Sequence, residues 1–191
     1  METILPPQRT ASGKSIERRA VLCRRINALT WVFIAGLVLS GVTAIPLPTE
    51  LDWLAGITGA NRLMSLSGRG PTWALWLTKV QLALLDSETA HPFLFYGTDW
   101  LAFGHFVIAI VFVGALRDPV RNSWLFTFGM IACVLVLPYA FFFGAIRGIP
   151  IWWRLIDCSF GVFGFVPLWF CRRWAAELEP GSTEADWRTG D

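Results

Sequence analysis

The stretch NSWLFTFGMIACVLVLPYAFFFGAI, residues 122–146, decides the fold class of this chain. It contains no charged residue and separates Arg121 from Arg147. A helix needs about 20 apolar residues to cross the hydrocarbon core of a bilayer, and this stretch exceeds that length. The sequence therefore predicts a transmembrane helix here and, with it, an integral membrane protein.

Three further uncharged stretches, residues 26–49, 100–116 and 158–171, extend the same pattern. The last is short, and we accept it because IPIWW precedes it and Arg154 can extend its charge outward from the span. Pro138 and Pro167 are tolerated in membrane helices, where each predicts a kink. We predict an all-α fold, an integral membrane four-helix bundle with spans at about 27–45, 99–116, 123–146 and 155–172.

The overall composition agrees with this prediction. Hydrophobic residues make up 54% of the chain, charged residues 16%, and the mean hydropathy is +0.52. An average soluble domain is about 45–50% apolar and about 25% charged, so a soluble globular domain is disfavoured. A net charge of +2 offers little to phosphate, which excludes a typical nucleic-acid binder.

The segment between the first two spans, residues 46–98, is predicted to be a long outer loop that carries an additional short amphipathic helix over 71–85. Pro71 suits the first helical position. The apolar residues recur at helical spacing on one face: Trp73, Trp76, Leu77, Val80 and Leu84. This pattern fits an interfacial helix, and a helix in a small extramembrane domain fits equally well. Lys79 and Gln81 make a fifth span the weaker interpretation.

The basic residues predict the orientation, because Lys and Arg accumulate on the cytoplasmic side. With four spans, eleven of the 16 Lys and Arg residues fall inside when the tails 1–26 and 175–191 are both cytoplasmic. Tryptophan prefers membrane boundaries. Four tryptophans fall at the predicted inner boundary: Trp31, Trp124, Trp169 and Trp174. Three fall at the predicted outer boundary: Trp100, Trp152 and Trp153. Short loops and compact size favour a bacterial cytoplasmic membrane.

Small residues at helical spacing predict where membrane helices approach closely. Three such stripes are Gly36, Ser40 and Thr43 in the first span, Gly129, Cys133, Ala140 and Gly144 in the third, and Gly161 and Gly164 in the fourth. The last two stripes lead to Arg147 and Asp157 near the outer boundary. We therefore expect these two residues to face the bundle interior or the membrane interface and to pair there, with Arg154 competing for Asp157. Two end charges solvated by headgroups are the alternative.

Ionisable residues inside spans are candidate functional groups by default. His105 lies roughly 9 Å inside the outer end of the second span, and Asp99 is expected to be the N-cap of that span. The candidate polar cluster is Asp99, His105, Arg147, Arg154 and Asp157. It could hold an anionic headgroup against the two arginines or pass protons through His105. An ordinary polar cap over the bundle is the alternative.

Cofactor and enzyme motifs are weak in this sequence. His91 and His105, the two histidines, are roughly 21 Å apart along one helix and cannot share an iron. We predict no cofactor and no metal site, and leave open haem shared with a partner subunit. No two of the four cysteines form a C-x-x-C pair, and we expect each to pack as a small apolar side chain: Cys23, Cys133, Cys158 and Cys171. Motifs for acyl transfer, zinc hydrolysis and nucleotide binding are absent, so the sequence leans against an enzyme.

These observations favour a non-catalytic accessory or scaffold subunit of a membrane complex. Its expected partners are the lipid bilayer and other membrane subunits or further copies of itself. The alternative is a protein that handles lipid headgroups or protons with His105, Asp157, Arg147 and Arg154.

Overall fold

The computed structural model describes residues 11–60, 62 and 70–179, and the elements within these ranges are helical. They are α1 (Ala11–Ala44), α2 (Leu47–Thr58), α3 (Thr72–Ala90), a 3₁₀ turn (Pro92–Phe95), α4 (Tyr96–Arg117), α5 (Ser123–Ile146) and α6 (Ile151–Leu178). No strand occurs in this part of the chain. The predicted all-α class is confirmed.

Four segments are long and apolar enough to cross a membrane: Ser15–Ala44, Pro92–Arg117, Ser123–Ile146 and Ile151–Leu178. Each contains one of the four predicted spans almost entirely, and α5 coincides with its prediction at both ends. This is the architecture of a multi-pass membrane protein. Pro138 and Pro167 lie inside α5 and α6 without ending either helix.

Two of these helices extend well beyond the apolar segments that predicted them. Helix α1 begins at Ala11 rather than near residue 27, and α6 runs from Ile151 to Leu178 rather than from 155 to 172. The extensions are rich in arginine, a strong helix former, and the one before the first span has neither glycine nor proline between Lys14 and Ala35. Absence of charge locates the part of a helix that suits lipid, whereas backbone propensity decides where the helix ends.

The predicted loop helix is present and longer than expected, running over Thr72–Ala90 with Pro71 at its N-cap position. The predicted apolar face is its less exposed side, since Leu77 is buried and the other four members are half-buried. The loop also contains α2, which the sequence analysis missed. This short helix ends at Gly59, whose φ of 70° is left-handed and favours glycine. Helix α2 packs against α3, and Gln81 donates a hydrogen bond to Asp52.

The described chain divides into two compact units. One contains the residues up to Ile34 together with those from Ile110 onward, and the other is Ala35–Ala109. The first unit therefore holds the N-terminal part of α1, the end of α4, and all of α5 and α6. The second holds the remainder of α1, α2, α3 and most of α4.

The core of the first unit is built around the α5–α6 hairpin. Its largest fully buried side chains include Phe112, Phe126 and Leu168. The hairpin turns within four residues, at Arg147–Pro150, and Gly148 there has a φ of 70°. Such a short connection makes the two helices antiparallel neighbours.

Glycines set the distance between α5 and α6. A Cβ placed on Gly161 would lie 2.6 Å from the carbonyl oxygen of Cys133, and one on Gly164 would lie 2.9 Å from the Cys133 sulfur. On α5, a Cβ on Gly129 would lie 2.6 Å from Leu168. The predicted small-residue stripes of the third and fourth spans are therefore confirmed as the contact faces of these helices.

The stripe predicted for the first span is wrong. Within the second unit, Gly36 has no described atom within 4 Å of an added Cβ, and Ser40 is exposed. The close approach occurs instead at Gly41, where a Cβ would lie 2.7 Å from the ring of Phe106 and 3.1 Å from the carbonyl oxygen of Ala102. Spacing alone cannot choose between two glycines that lie on different faces of one helix.

The outward surfaces of the four long helices are strongly apolar. Side chains such as Ile110, Phe160 and Phe163 are 70%, 69% and 75% exposed. A water-soluble protein rarely presents so much contiguous apolar surface, whereas a lipid-embedded helix requires it. The exposure pattern agrees with the predicted membrane location.

All four cysteines are free thiols, and their burial predicts a labelling order. Cys23 is half-buried and lies two residues before Arg25, at the predicted inner boundary. Cys158 and Cys171 are buried. Cys133 is half-buried, but its sulfur lies against Gly164 inside the hairpin. In inside-out membrane vesicles, we expect a membrane-impermeant maleimide to label Cys23 at least about tenfold faster than the other three, because thiolate formation needs water. Mass spectrometry of single-cysteine variants measures this, with unfolded protein as the control. Equal rates before unfolding would contradict the burial and the boundary.

Candidate functional site

Two of the five candidate residues, Asp99 and His105, lie on α4 within the second unit. They are six residues apart, which places them about 9 Å apart along the axis and on faces that differ by about 120°. Asp99 is exposed and His105 is half-buried. They share a helix but not a helix face, so α4 alone does not bring them together.

Asp99 is not the N-cap that the sequence predicts. Helix α4 begins at Tyr96, directly after the 3₁₀ turn, so Asp99 lies in its first turn. A carboxylate there still interacts favourably with the positive end of the helix dipole. Asp99 lines an open pocket together with Tyr96, Trp100 and Phe103. The Trp100 ring is in edge-to-face contact with Tyr96 and Phe103, at ring-centroid distances of 5.9 and 5.4 Å.

His105 forms a hydrogen bond within its own helix. Its Nδ1 lies 2.8 Å from the carbonyl oxygen of Leu101, one turn earlier. Because a carbonyl only accepts, Nδ1 carries the proton in this arrangement. The bond supplies one partner to a polar ring inside an apolar segment, and Nε2 has no partner among the described residues.

The other three candidates, Arg147, Arg154 and Asp157, lie at or near the α5–α6 turn in the first unit. Arg147 is the exposed residue that ends α5, and its backbone N–H donates to Phe143. Arg154 and Asp157 are half-buried and lie three residues apart on α6, on the same side of the helix.

Arg154 joins the two helices of the hairpin. Its Nε donates a 2.7 Å hydrogen bond to the carbonyl oxygen of Ile149, and its Nη1 lies 3.4 Å from that of Phe141. The methylene stem crosses Gly144, where an added Cβ would lie 2.6 Å from Cδ. Gly144 therefore makes room for the stem, and the guanidinium binds the carbonyl oxygen of Ile149 in the turn and approaches that of Phe141 in α5.

The expected pairing of Asp157 is not formed. Within the described ranges, Asp157 has neither a hydrogen bond nor an ion pair with Arg147 or Arg154. The physical reason lies in the turn: the carbonyl oxygen of Ile149 stands close to Arg154 and binds its guanidinium. The wider grouping of all five residues spans both compact units and stays a prediction.

A metal site would need several His, Cys, Asp or Glu side chains close together. In the ranges 11–60 and 70–179, no three His, Cys, Asp or Glu side chains gather as a metal site would require.

One buried polar contact links α1 to α6: Thr30 Oγ1 donates to the carbonyl oxygen of Ile26 at 2.8 Å, and the Cys171 thiol lies 3.7 Å from the same carbonyl oxygen. This contact positions helices and has no opening to solvent.

A second charged site, at the other end of the first unit, escaped the sequence analysis. Arg18 on α1 forms a 3.0 Å ion pair with Glu177 on α6, and the Arg25 guanidinium lies 5.9 Å from the ring centre of Trp174. An open groove of about 480 Å³ lies between these side chains. The partners are about 150 residues apart in sequence, and the only available signal was that arginines cluster at both helix ends.

Comparison with known proteins identifies no relative: the chain matches no protein-family model, no curated protein and no solved structure. The class that the fold defines is a multi-pass helical membrane protein.

Proposed function

We propose that this chain is a non-catalytic accessory or scaffold subunit of a membrane complex. One observation carries the proposal: three polar groups within its apolar helices bind backbone carbonyls of the chain itself. Arg154 binds the turn of its own hairpin, His105 binds Leu101, and Thr30 binds Ile26. Each of these bonds stabilises a helix or a helix pair.

The exposed aromatic surface supports the same proposal. On α5, Tyr139, Phe142 and Phe143 form a ring cluster with centroid separations of 4.4 and 5.1 Å, and all three are exposed. On α6, Phe160 and Phe163 are exposed as well. Aromatic side chains dominate the energetics of protein interfaces, and such a surface suits contact with other membrane helices as well as with lipid.

The proposed location is a bacterial cytoplasmic membrane, with both termini in the cytoplasm. An even number of crossings places the termini on one side, and the bias of Lys and Arg toward the tails and the α4–α5 turn selects the cytoplasm.

Photo-crosslinking in the native membrane tests the subunit proposal. We expect p-benzoylphenylalanine at Phe142, Ile131 or Phe163 to yield a discrete protein adduct, either a second copy or another chain, from at least one position. Sodium dodecyl sulfate added before irradiation is the control and is expected to abolish the adduct, because it disperses subunits. Gel shift and mass spectrometry identify the product. Lipid adducts alone at every position would contradict the proposal.

A second candidate, proton or headgroup handling, is favoured by two side chains. Asp157 is half-buried and unpaired within the described ranges, and Nε2 of His105 is free there. The double variant His105→Ala/Asp157→Asn separates the two proposals. A scaffold keeps its crosslinked adduct, and vesicles containing the wild-type protein show no dye-detected proton flux. Flux that the double variant abolishes would favour the second candidate instead.

A further inference from the structure

We infer that the groove between the start of α1 and the end of α6 binds the headgroup of an anionic phospholipid. We name it the α1–α6 groove. It is lined by Arg18, Val21, Leu22 and Arg25 from α1 and by Trp174 and Glu177 from α6, with Glu17 at its outer end. This site is separate from the predicted polar cluster and from the proposed subunit role.

The position of the groove along the helices matches the headgroup layer of a bilayer. Arg25 is the last charge before the uncharged run of α1, and Arg172 is the first charge after the uncharged run of α6. Trp174 therefore lies at the predicted boundary, where indole rings concentrate. Arg18 lies about 10 Å farther out along α1, slightly more than the headgroup layer, which is about 5–8 Å deep.

The chemistry of the groove suits a lipid, because apolar and cationic groups are adjacent. Leu22 is only 8% exposed and, with Val21, gives the groove an apolar floor on the aqueous side of Arg25. The acyl chains of a lipid whose phosphate binds at Arg25 run the other way, along the uncharged part of α1 that begins at Ile26. Arg25 is exposed and lies over the Trp174 ring at 5.9 Å. Stacking on an aromatic face orients a guanidinium and leaves its N–H donors available at the edge for bidentate contact with phosphate.

The charges of the groove indicate which end accepts the phosphate. Arg18 is neutralised by Glu177 at 3.0 Å, and Glu17 lies at the same outer end. Arg25 meets no carboxylate within the described ranges, and Arg24, Arg172 and Arg173 flank it at the membrane boundary. The potential is therefore most positive at the Arg25 end. An anionic headgroup binds there, with its glycerol and acyl chains toward the apolar side.

The experiment titrates dioleoyl phosphatidylglycerol into the detergent-purified full chain and counts bound lipid by native mass spectrometry. We expect Arg25→Gln to weaken the tightest binding step about tenfold, because it removes a charge-assisted contact. Trp174→Leu is expected to weaken it about two- to fivefold by removing the ring that orients Arg25. Arg24→Gln is the matched control, since Arg24 is exposed, adjacent and outside the groove.

Three results would overturn the inference. One is an equal loss with Arg24→Gln and Arg25→Gln, which would show general attraction to a basic surface. Another is displacement of the lipid by inorganic phosphate at millimolar concentration, which would identify a soluble anion as the ligand. The third is equal affinity for dioleoyl phosphatidylcholine. Circular dichroism of each variant verifies that the helices are intact, and Arg25→Lys, which keeps the charge but not the fork, is expected to bind with intermediate affinity.

Discussion

Replacing Gly161 by valine is expected to lower the free energy of unfolding by about 3 kcal/mol, the upper end of the usual effect of overpacking. The reason is the contact between α5 and α6, where a Cβ on Gly161 would lie 2.6 Å from the carbonyl oxygen of Cys133. That oxygen belongs to backbone inside α5 and cannot rotate away, so the whole helix must move. Moving it would also loosen the contacts of Gly164 and Gly129.

The measurement is unfolding in dodecyl maltoside with increasing sodium dodecyl sulfate, followed by circular dichroism. Gly36→Val is the matched control, because an added Cβ there meets no described atom within 4 Å. Valine suits a helix at least as well as glycine, so this control should change stability by less than about 0.5 kcal/mol. Equal effects of the two substitutions would show that the helices do not meet at Gly161.

Replacing Arg154 by methionine is expected to cost about 1.5–3 kcal/mol of stability, the range for hydrogen bonds made by charged groups. Methionine keeps most of the stem that crosses Gly144, so the change isolates the guanidinium. Its loss leaves the carbonyl oxygens of Ile149 and Phe141 without this donor. A lysine at this position has the charge but lacks the planar fork, and is expected to recover only part of the loss.

Arg147→Met is the control for this substitution, because Arg147 carries the same charge beside the same turn and its side chain is exposed. We expect a change within about 0.5 kcal/mol, again from the detergent titration. A large effect at Arg147 together with a small one at Arg154 would reverse the roles assigned to the two arginines. It would restore the pairing of Arg147 with Asp157 that the sequence predicts.

Most of the fold was predictable because lipid imposes a length on each apolar segment. Uncharged runs located all four long helices, and α5 was located to the residue. Helix α2 was missed because its twelve residues mix charged and apolar side chains, and because two prolines obscure its start. Those prolines lie at Pro46, its N-cap position, and at Pro48, in its first turn, where proline costs a helix little.

The candidate site was less predictable than the fold. Residue type identified Arg154 and Asp157 as unusual, and spacing suggested that they pair. Spacing on one helix could not show that carbonyl oxygens of the turn and of α5 bind the guanidinium instead. The α1–α6 groove was out of reach for a similar reason, because Arg25 meets Trp174 only through packing of the first and last described helices.

The sequence by itself determined the helical class, the four apolar spans and the small-residue faces of α5 and α6. Those properties follow from composition and periodicity within single segments, and the bilayer acts on each segment separately. Only the tertiary structure decided that Arg154 binds the hairpin turn, that Gly41 rather than Gly36 makes the close contact, and that Arg25 lies over Trp174. These outcomes depend on which atoms of distant segments come within a few ångströms, and hydrogen bonds and van der Waals contacts act only over that range.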